Sequence, residues 1–138
     1  MIISIVGGGA TGITMLRHLA ELASSDRYQD LVTAIRLFDK SGFDGGMAYR
    51  TSSDQHLLNM KASKMSILVG DADDFMRWTE RVGVQCDAND HLPRKLYRSY
   101  LDDVRTAAVE RCRRAGVAVH LEKAEVTRAR FSSEHACC

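Results

Sequence analysis

The sequence predicts an α/β fold in which parallel strands alternate with crossover helices. A short apolar, β-branched run at residues 1–6 is followed by a cluster of glycines and then by helical periodicity over residues 10–23. A second apolar run at residues 33–39 follows and closes on an acid. A strand, a glycine turn, a helix and a strand in this order are typical of a βαβ unit, whose two strands are parallel.

Length and composition bound the classes of protein to which the chain can belong. Its 138 residues fit one domain, and 45% hydrophobic and 27% charged residues are usual for a soluble globular protein. A net charge of +1 gives no reason to expect nucleic acid or an anionic membrane as a partner. No run is long enough to span a membrane, and no basic segment of a signal peptide opens the chain, so we expect a cytoplasmic protein. The cysteines and histidines lack metal-ligand spacing, and no metal site is predicted.

The first three elements follow from their apolar patterns. The run at residues 1–6 is apolar throughout, as expected of a central strand that is covered on both faces. Residues 10–23 bury one face through Ile13 and Leu16 and form the first helix. Residues 33–39 form the second strand of the βαβ unit.

A long segment without periodicity separates this unit from the next helix. Residues 41–70 contain four glycines and no regular pattern, and a loop of this length in a compact domain is usually functional. Asp71 is the expected N-cap of the helix that follows, and Gly83 is expected just past its C-terminal end. The expected inward-facing stripe of this helix consists of Phe75, Trp78, Thr79 and Val82.

The C-terminal third is predicted to contain a longer helix and two short strands. The helix runs over residues 94–115 and ends at Gly116. Residues 117–121 and 124–131 are predicted to be strands that pair with each other locally. Arg94 opposes the helix dipole at the helix start, which makes it a candidate for contact with an anionic partner.

The glycines at residues 7–12 match the pattern G-x-G-x-x-G of a dinucleotide-binding turn. Gly7 allows a tight turn out of the strand, Gly9 lets a pyrophosphate approach the backbone, and Gly12 lets the helix pack closely on the strand. The first N–H groups of the helix and its positive dipole end then face the phosphates. The pattern predicts a Rossmann-like site that binds the ADP half of FAD or of a related dinucleotide.

Asp39 is the acid that closes the second strand. A carboxylate at this place accepts hydrogen bonds from the ribose hydroxyls and repels a 2′-phosphate, which disfavours NADP. Asp39 lies 27 residues past Gly12, against about 20 in the usual pattern. A longer connection over residues 24–30 accounts for the difference.

Several further motifs resemble one known family. They are GGMAY at residues 45–49, HLLNMKA at 56–62, KMS at 64–66, DF-x-x-W at 74–78 and PR-x-x-Y-x-x-YL at 93–101. In this order, and together with the glycine turn, they resemble the FAD/NAD(P)-binding family that includes FAD-dependent urate hydroxylase and nitrosuccinate-forming L-aspartate N-monooxygenase. The resemblance extends over roughly residues 1–130.

The resemblance implies an FAD that is reduced by NAD(P)H and then used for oxidation or oxygen insertion. It implies that Gly46, Met47 and Ala48 bring backbone near the cofactor and that the main chain of Val126 contacts the adenine. Asn59 either hydrogen-bonds the flavin or caps a turn. Catalytic residues stay unassigned, because the flavin supplies the redox chemistry. The residues implied to hold ADP are Gly7, Gly9, Ala10, Thr11, Gly12, Asp39 and Lys40.

The family pattern also leads us to expect an incomplete domain. We predict a FAD/NAD(P)-binding domain over residues 1–131 that lacks its C-terminal part, followed by a disordered tail at residues 132–138. The leading hypothesis is the FAD-binding portion of a flavin-dependent oxidoreductase or monooxygenase that acts on an unidentified small molecule. The alternatives are a non-catalytic, truncated dinucleotide-binding module and one subunit of a split flavoenzyme whose missing half is a separate chain.

Overall fold

A computed structural model describes residues 1–25, 27 and 31–130, and it has the predicted α/β fold. None of the helices in this part of the chain is long and apolar enough to cross a membrane. The elements are β1 (Ile2–Val6), α1 (Ala10–Ala23), β2 (Ala34–Phe38), a short 3₁₀ turn (Ala62–Lys64), α2 (Asp74–Arg81), α3 (Arg94–Arg114) and β3 (Ala118–Glu122).

The three strands form one parallel sheet in the order β1-β2-β3. In register, Ile2 lies beside Ala34, and Ala34 lies beside Ala118. Helix α1 connects β1 to β2, while α2 and α3 lie in the connection from β2 to β3. Both connections step across the sheet in the same direction, so right-handed crossovers place α1 and α3 on the same face.

Two groups of buried side chains form the core. One lies between the sheet and the helices α1 and α3, and includes Leu16, Ile35, Leu37 and Cys112. The other is largely aromatic and lies among α2, α3 and the irregular segment before them. Its buried rings are those of Phe75, Trp78, Tyr97 and Tyr100. Because α3 contributes to both groups, it joins the sheet to the aromatic cluster.

The prediction that β1 is the central strand is wrong for the described residues. Strand β1 pairs with β2 alone and lies at the edge of this three-stranded sheet. Ile2 and Val6 are each 66% exposed, because α1 and α3 cover only the opposite face. An apolar run indicates that both faces of a strand are suited to burial. It does not show that the described residues of the chain cover both faces.

The prediction of two locally paired C-terminal strands is also wrong. Strand β3 pairs in parallel with β2, because Gly116 ends α3 and the chain then returns along the sheet. Residues 124–130 are not a strand. The N–H of Ala124 donates to the carbonyl of Glu122 at 2.9 Å, and this tight turn ends β3. Phe131 and the predicted tail at residues 132–138 lie outside the described residues.

Helix α2 differs from the prediction at its N-terminal end and in the place of Val82. Its N-cap is Asp73 and not Asp71, whose carboxylate instead pairs with Arg77 in the helix. Val82 is 44% exposed and stands outside the helix as its C-cap, so its predicted place in the buried stripe is wrong. Gly83 follows with φ of +76° as predicted, and its N–H donates to the carbonyl of Glu80.

Candidate functional site

The turn between β1 and α1 depends on its glycines for close packing. Gly7 has φ of +107°, a backbone conformation that side chains other than glycine rarely adopt. A Cβ on Gly12 would lie 1.8 Å from the carbonyl oxygen of Gly7, so only glycine lets α1 approach the strand this closely. A Cβ on Gly8 would lie 2.7 Å from the ring of Phe43. The turn is therefore fixed by contacts that no larger residue permits.

The N-terminal end of α1 presents backbone N–H groups that have no acceptor within the helix. The first helical hydrogen bond runs from the N–H of Ile13 to the carbonyl of Gly9 at 3.0 Å. Within the described part of the chain no side chain caps this end, and no acid stands in its first turn. The N–H groups of Ala10, Thr11 and Gly12 therefore precede the first helical hydrogen bond, and the positive dipole end lies beside them. These donors fit a pyrophosphate group.

Two glycines, Gly45 and Gly46, lie against this turn and belong to the irregular segment at residues 41–70. Gly9 and Gly45 form an isolated parallel bridge, and a Cβ on Gly46 would lie 3.1 Å from the Cα of Gly9. Gly45 and Gly46 have φ of +80° and +83°. Met47, which is 92% exposed, and Ala48 follow directly and lie on the surface. The structure thus brings residues 46–48 close to the glycine turn.

Asp39 ties the end of β2 to the same turn. Its Oδ2 accepts the N–H of Gly8 at 2.8 Å, and its Oδ1 accepts the N–H of Ser41 at 2.7 Å. Desolvation raises the pKa of the Asp39 carboxyl, but the N–H donors of Gly8, Ser41 and Gly42 outweigh it, so the pKa lies below its usual value. A carboxylate oxygen accepts more than one hydrogen bond, so Asp39 can also accept hydrogen bonds from the ribose hydroxyls.

A pocket of about 230 Å³ lies at the carboxyl end of β1 and β2. Ligands of open α/β sheets bind outside the carboxyl ends of the strands, which is where this pocket opens. At its rim the Lys40 Nζ lies 3.1 Å from the Glu125 Oε1. Its walls are formed by Val6, Gly7, Phe38, Asp39, Lys40, Ala124, Glu125 and Val126. Four of the predicted residues, Gly7, Asp39, Lys40 and Val126, therefore share one pocket.

A larger cavity of about 670 Å³ lies between the C-terminal ends of α1 and α3. It is lined by Arg17, Arg111 and Arg114, among others. The negative ends of two helix dipoles meet there, and basic side chains in a last turn complement those ends. The smaller pocket at the strand ends is therefore the better candidate for a dinucleotide.

Arg94 connects residues 46–48 to Asn59 through its hydrogen bonds. Arg94 donates to the carbonyl of Leu57 and to the Oδ1 of Asn59, both at 2.9 Å, and to the carbonyl of Ala48 at 3.5 Å. Its side-chain donors thus bind protein oxygens in this structure, and contact with an anionic partner stays a prediction. The Oδ1 of Asn59 is likewise held by Arg94, and its amide nitrogen is the group left for a ligand.

Sequence reasoning missed four residues that shape this site. Gly8 donates to Asp39, Phe43 packs on the turn, Gly45 bridges to Gly9, and Glu125 pairs with Lys40. The run of three glycines at residues 7–9 was a signal for Gly8. The motif GGMAY, which begins at Gly45, was a signal for Gly45. Phe43 and Glu125 had no local signal, because each acts through a residue that is distant in the sequence.

The comparison with protein families agrees with this geometry. The model of the FAD-NAD(P)-binding family matches residues 4–137. A search of curated proteins finds no match to this chain. The family match covers nearly the whole chain and includes the glycine turn, Asp39 and the pocket at the strand ends. This chain therefore belongs to the FAD-NAD(P)-binding family and is a dinucleotide-binding module.

Proposed function

We propose that this chain binds FAD and is the FAD-binding portion of a flavin-dependent oxidoreductase or monooxygenase that uses NAD(P)H as reductant. One observation carries the proposal. In the described part of the chain no side chain caps the N-terminal end of α1. This end adjoins the pocket of about 230 Å³ that Asp39 lines. A phosphate site beside a ribose-binding acid at the carboxyl end of a parallel sheet suits the ADP half of a dinucleotide.

Each part of the ADP group has a matching set of residues. The backbone N–H groups at the start of α1 would hold the pyrophosphate, and Asp39 would accept hydrogen bonds from the ribose. The apolar side chains of Val6, Phe38 and Val126 in the pocket walls would contact the adenine. The flavin supplies the redox chemistry when bound, and the protein positions it.

The other half of the dinucleotide would extend past residues 46–48. Support comes from the exposed apolar side chains of Met47, Leu57 and Met60, which are 92%, 46% and 52% exposed. Arg94 joins Ala48 to Asn59 and so holds this side of the site together. Apolar groups with one fixed polar partner are the usual lining of a cofactor site.

A second candidate is one subunit of a split flavoenzyme. The observation that favours it is the sheet face opposite α1 and α3, on which Ile2 and Val6 are largely exposed. Parallel sheets are usually covered on both faces, so a second chain would provide the missing layer.

Calorimetric titration of the purified protein with FAD, NAD and NADP tests the proposal. We expect FAD to bind best and NADP worst, because Asp39 repels a 2′-phosphate. Asp39→Asn should weaken FAD binding by about 1.5–3 kcal/mol, the usual worth of a hydrogen bond to a charged group. Asp54→Asn is the control, since Asp54 pairs with Lys95 outside the pocket. A folded protein that binds none of the three would contradict the proposal.

A further inference from the structure

We infer that Glu125 is a specificity-determining residue of the adenosine pocket, because it pairs with Lys40 and so withholds that ammonium from a 2′-phosphate. The inference rests on the proposed function, since it assigns selectivity to the same site. By itself, the Lys40 ammonium would attract a 2′-phosphate and offset the repulsion from Asp39, and its pairing with Glu125 opposes that attraction.

The geometry places three charged groups at the mouth of one pocket. Lys40 directly follows Asp39, and both line the pocket together with Glu125. The Lys40 Nζ lies 3.1 Å from the Glu125 Oε1. The side chains of Lys40 and Glu125 are 68% and 60% exposed, so the pair stands in solvent at the rim.

The charges at this rim determine what the pocket accepts. Hydrogen bonds from Gly8 and Ser41 help to keep the pKa of Asp39 below its usual value, so Asp39 is ionised at neutral pH. Asp39, Lys40 and Glu125 then sum to one negative charge. A phosphate monoester carries about −1.5 to −2 charges near neutral pH and is repelled by such a rim. Without the Glu125 charge the rim is neutral, and the Lys40 ammonium can bind the phosphate.

The exposure of the ion pair makes this selectivity easy to change. An exposed pair contributes little to stability, so its loss should leave the fold intact. Glu125 comes after β3, in a segment without regular structure, and among the described residues its side chain pairs with Lys40, which lies outside the strands and helices. Charge removal at Glu125 should therefore act on Lys40 and on the ligand.

The experiment compares two small ligands that differ by one phosphate, 5′-AMP and adenosine 2′,5′-bisphosphate. At low ionic strength, Glu125→Gln should raise the affinity for the bisphosphate relative to 5′-AMP by roughly three- to ten-fold, the size of a Coulomb interaction across a few ångströms of water. The double variant Glu125→Gln with Lys40→Gln should lose this gain. Glu122→Gln is the matched control, because it opens the Arg36–Glu122 pair on the exposed sheet face.

The outcomes separate this inference from the proposed function. If the wild-type protein binds both ligands and Glu125→Gln leaves their affinity ratio unchanged, the role of Glu125 is wrong and the dinucleotide site stands. A gain that persists without Lys40 would also overturn the inference. If the folded wild-type protein binds neither ligand, the proposed function fails, and the inference fails with it.

Discussion

Gly9 and Gly12 belong to the same turn, yet the space around them differs. A Cβ on Gly12 would lie 1.8 Å from a backbone oxygen that cannot move without displacing β1. A Cβ on Gly9 would meet the carbonyl oxygen of Gly45 at 3.5 Å, an ordinary contact, and Gly9 has φ of −77°. Stability therefore requires glycine at position 12. At position 9, glycine instead keeps the backbone accessible to a ligand.

This difference gives the first prediction. Gly12→Ala should lower the free energy of unfolding by about 3 kcal/mol or more, because the helix and the turn must separate. Gly9→Ala should lower it by less than about 1 kcal/mol and should still weaken FAD binding, since the methyl group narrows the approach to the backbone. Urea denaturation and FAD titration of both variants provide the measurements. Equal stability of the two variants would contradict this account of the turn.

Asp39 gives a prediction on pH. Its pKa is lowered in the folded state, so its contribution to stability is present above its unfolded pKa of about 3.9 and is lost as the pH falls through the folded value. Asp39→Asn should therefore cost stability at neutral pH, and this cost should shrink below about pH 4. Urea midpoints of both proteins between neutral and acidic pH would test it. A stability cost of Asp39→Asn that is independent of pH would mean that the introduced amide group, and not the loss of the negative charge, destabilises the variant.

At the scale of elements, Arg94 connects the start of α3 to the irregular segment. Its backbone N–H donates to the carbonyl of His56 at 2.8 Å, and its side chain reaches Leu57 and Asn59. The isolated bridge between Leu57 and Pro93 lies next to these bonds. One residue at a helix start thus holds residues 56–59 in place.

Removal of this guanidinium should loosen the segment and leave the helix intact. In Arg94→Met we expect faster amide hydrogen exchange at residues 57–60, unchanged exchange in the middle of α3, and weaker FAD binding. Arg98→Met is the matched control, because the side chain of Arg98 makes a long hydrogen bond, at 3.4 Å, to the carbonyl of Arg50 and donates none to residues 56–59 in the described part of the chain. Unchanged exchange near Leu58 in Arg94→Met would show that other contacts hold the segment.

Much of the secondary structure could be predicted because its signals are local. Helix α1 has its predicted bounds, since glycines precede its apolar periodicity and serines follow it. Helix α3 starts at Arg94, directly after the only proline of the chain. The sequence predicted that β1 is central and that the C-terminal strands pair with each other, whereas β1 lies at an edge and β3 pairs with β2. Both predictions were wrong, because strand order depends on how elements that are distant in the sequence pack.

The candidate site was predictable where a single turn creates it. The glycine pattern at residues 7–12 and Asp39 could be identified from the sequence, because their spacing follows from the βαβ unit. The Lys40–Glu125 pair and the contact of Arg94 with Ala48 join residues 85 and 46 positions apart. No local pattern carries such long-range pairs, which arise only when the elements pack.

At the scale of the whole molecule, the sheet is covered on one face. Ile35 and Leu37 lie under α1 and α3 and are fully buried, whereas Ile2 on the opposite face is 66% exposed. Ile35→Thr should cost about 2–4 kcal/mol, because it replaces a buried ethyl group with a hydroxyl. Ile2→Thr should cost less than about 0.5 kcal/mol. A large cost for Ile2→Thr, measured by urea denaturation, would show that this face is covered in solution.

The aromatic cluster gives the molecule an optical reporter of its own. Trp78, the single tryptophan, is 3% exposed, stacks on Phe75 with ring centroids 5.9 Å apart, and donates its Nε1–H to Asp103 at 2.8 Å. It lies among α2 and α3 and does not line the pocket at the strand ends. Its fluorescence should follow the melting of the aromatic cluster, while the signal of a bound flavin should follow the pocket. Two melting curves recorded on one sample would then show whether the aromatic cluster and the pocket at the strand ends unfold together.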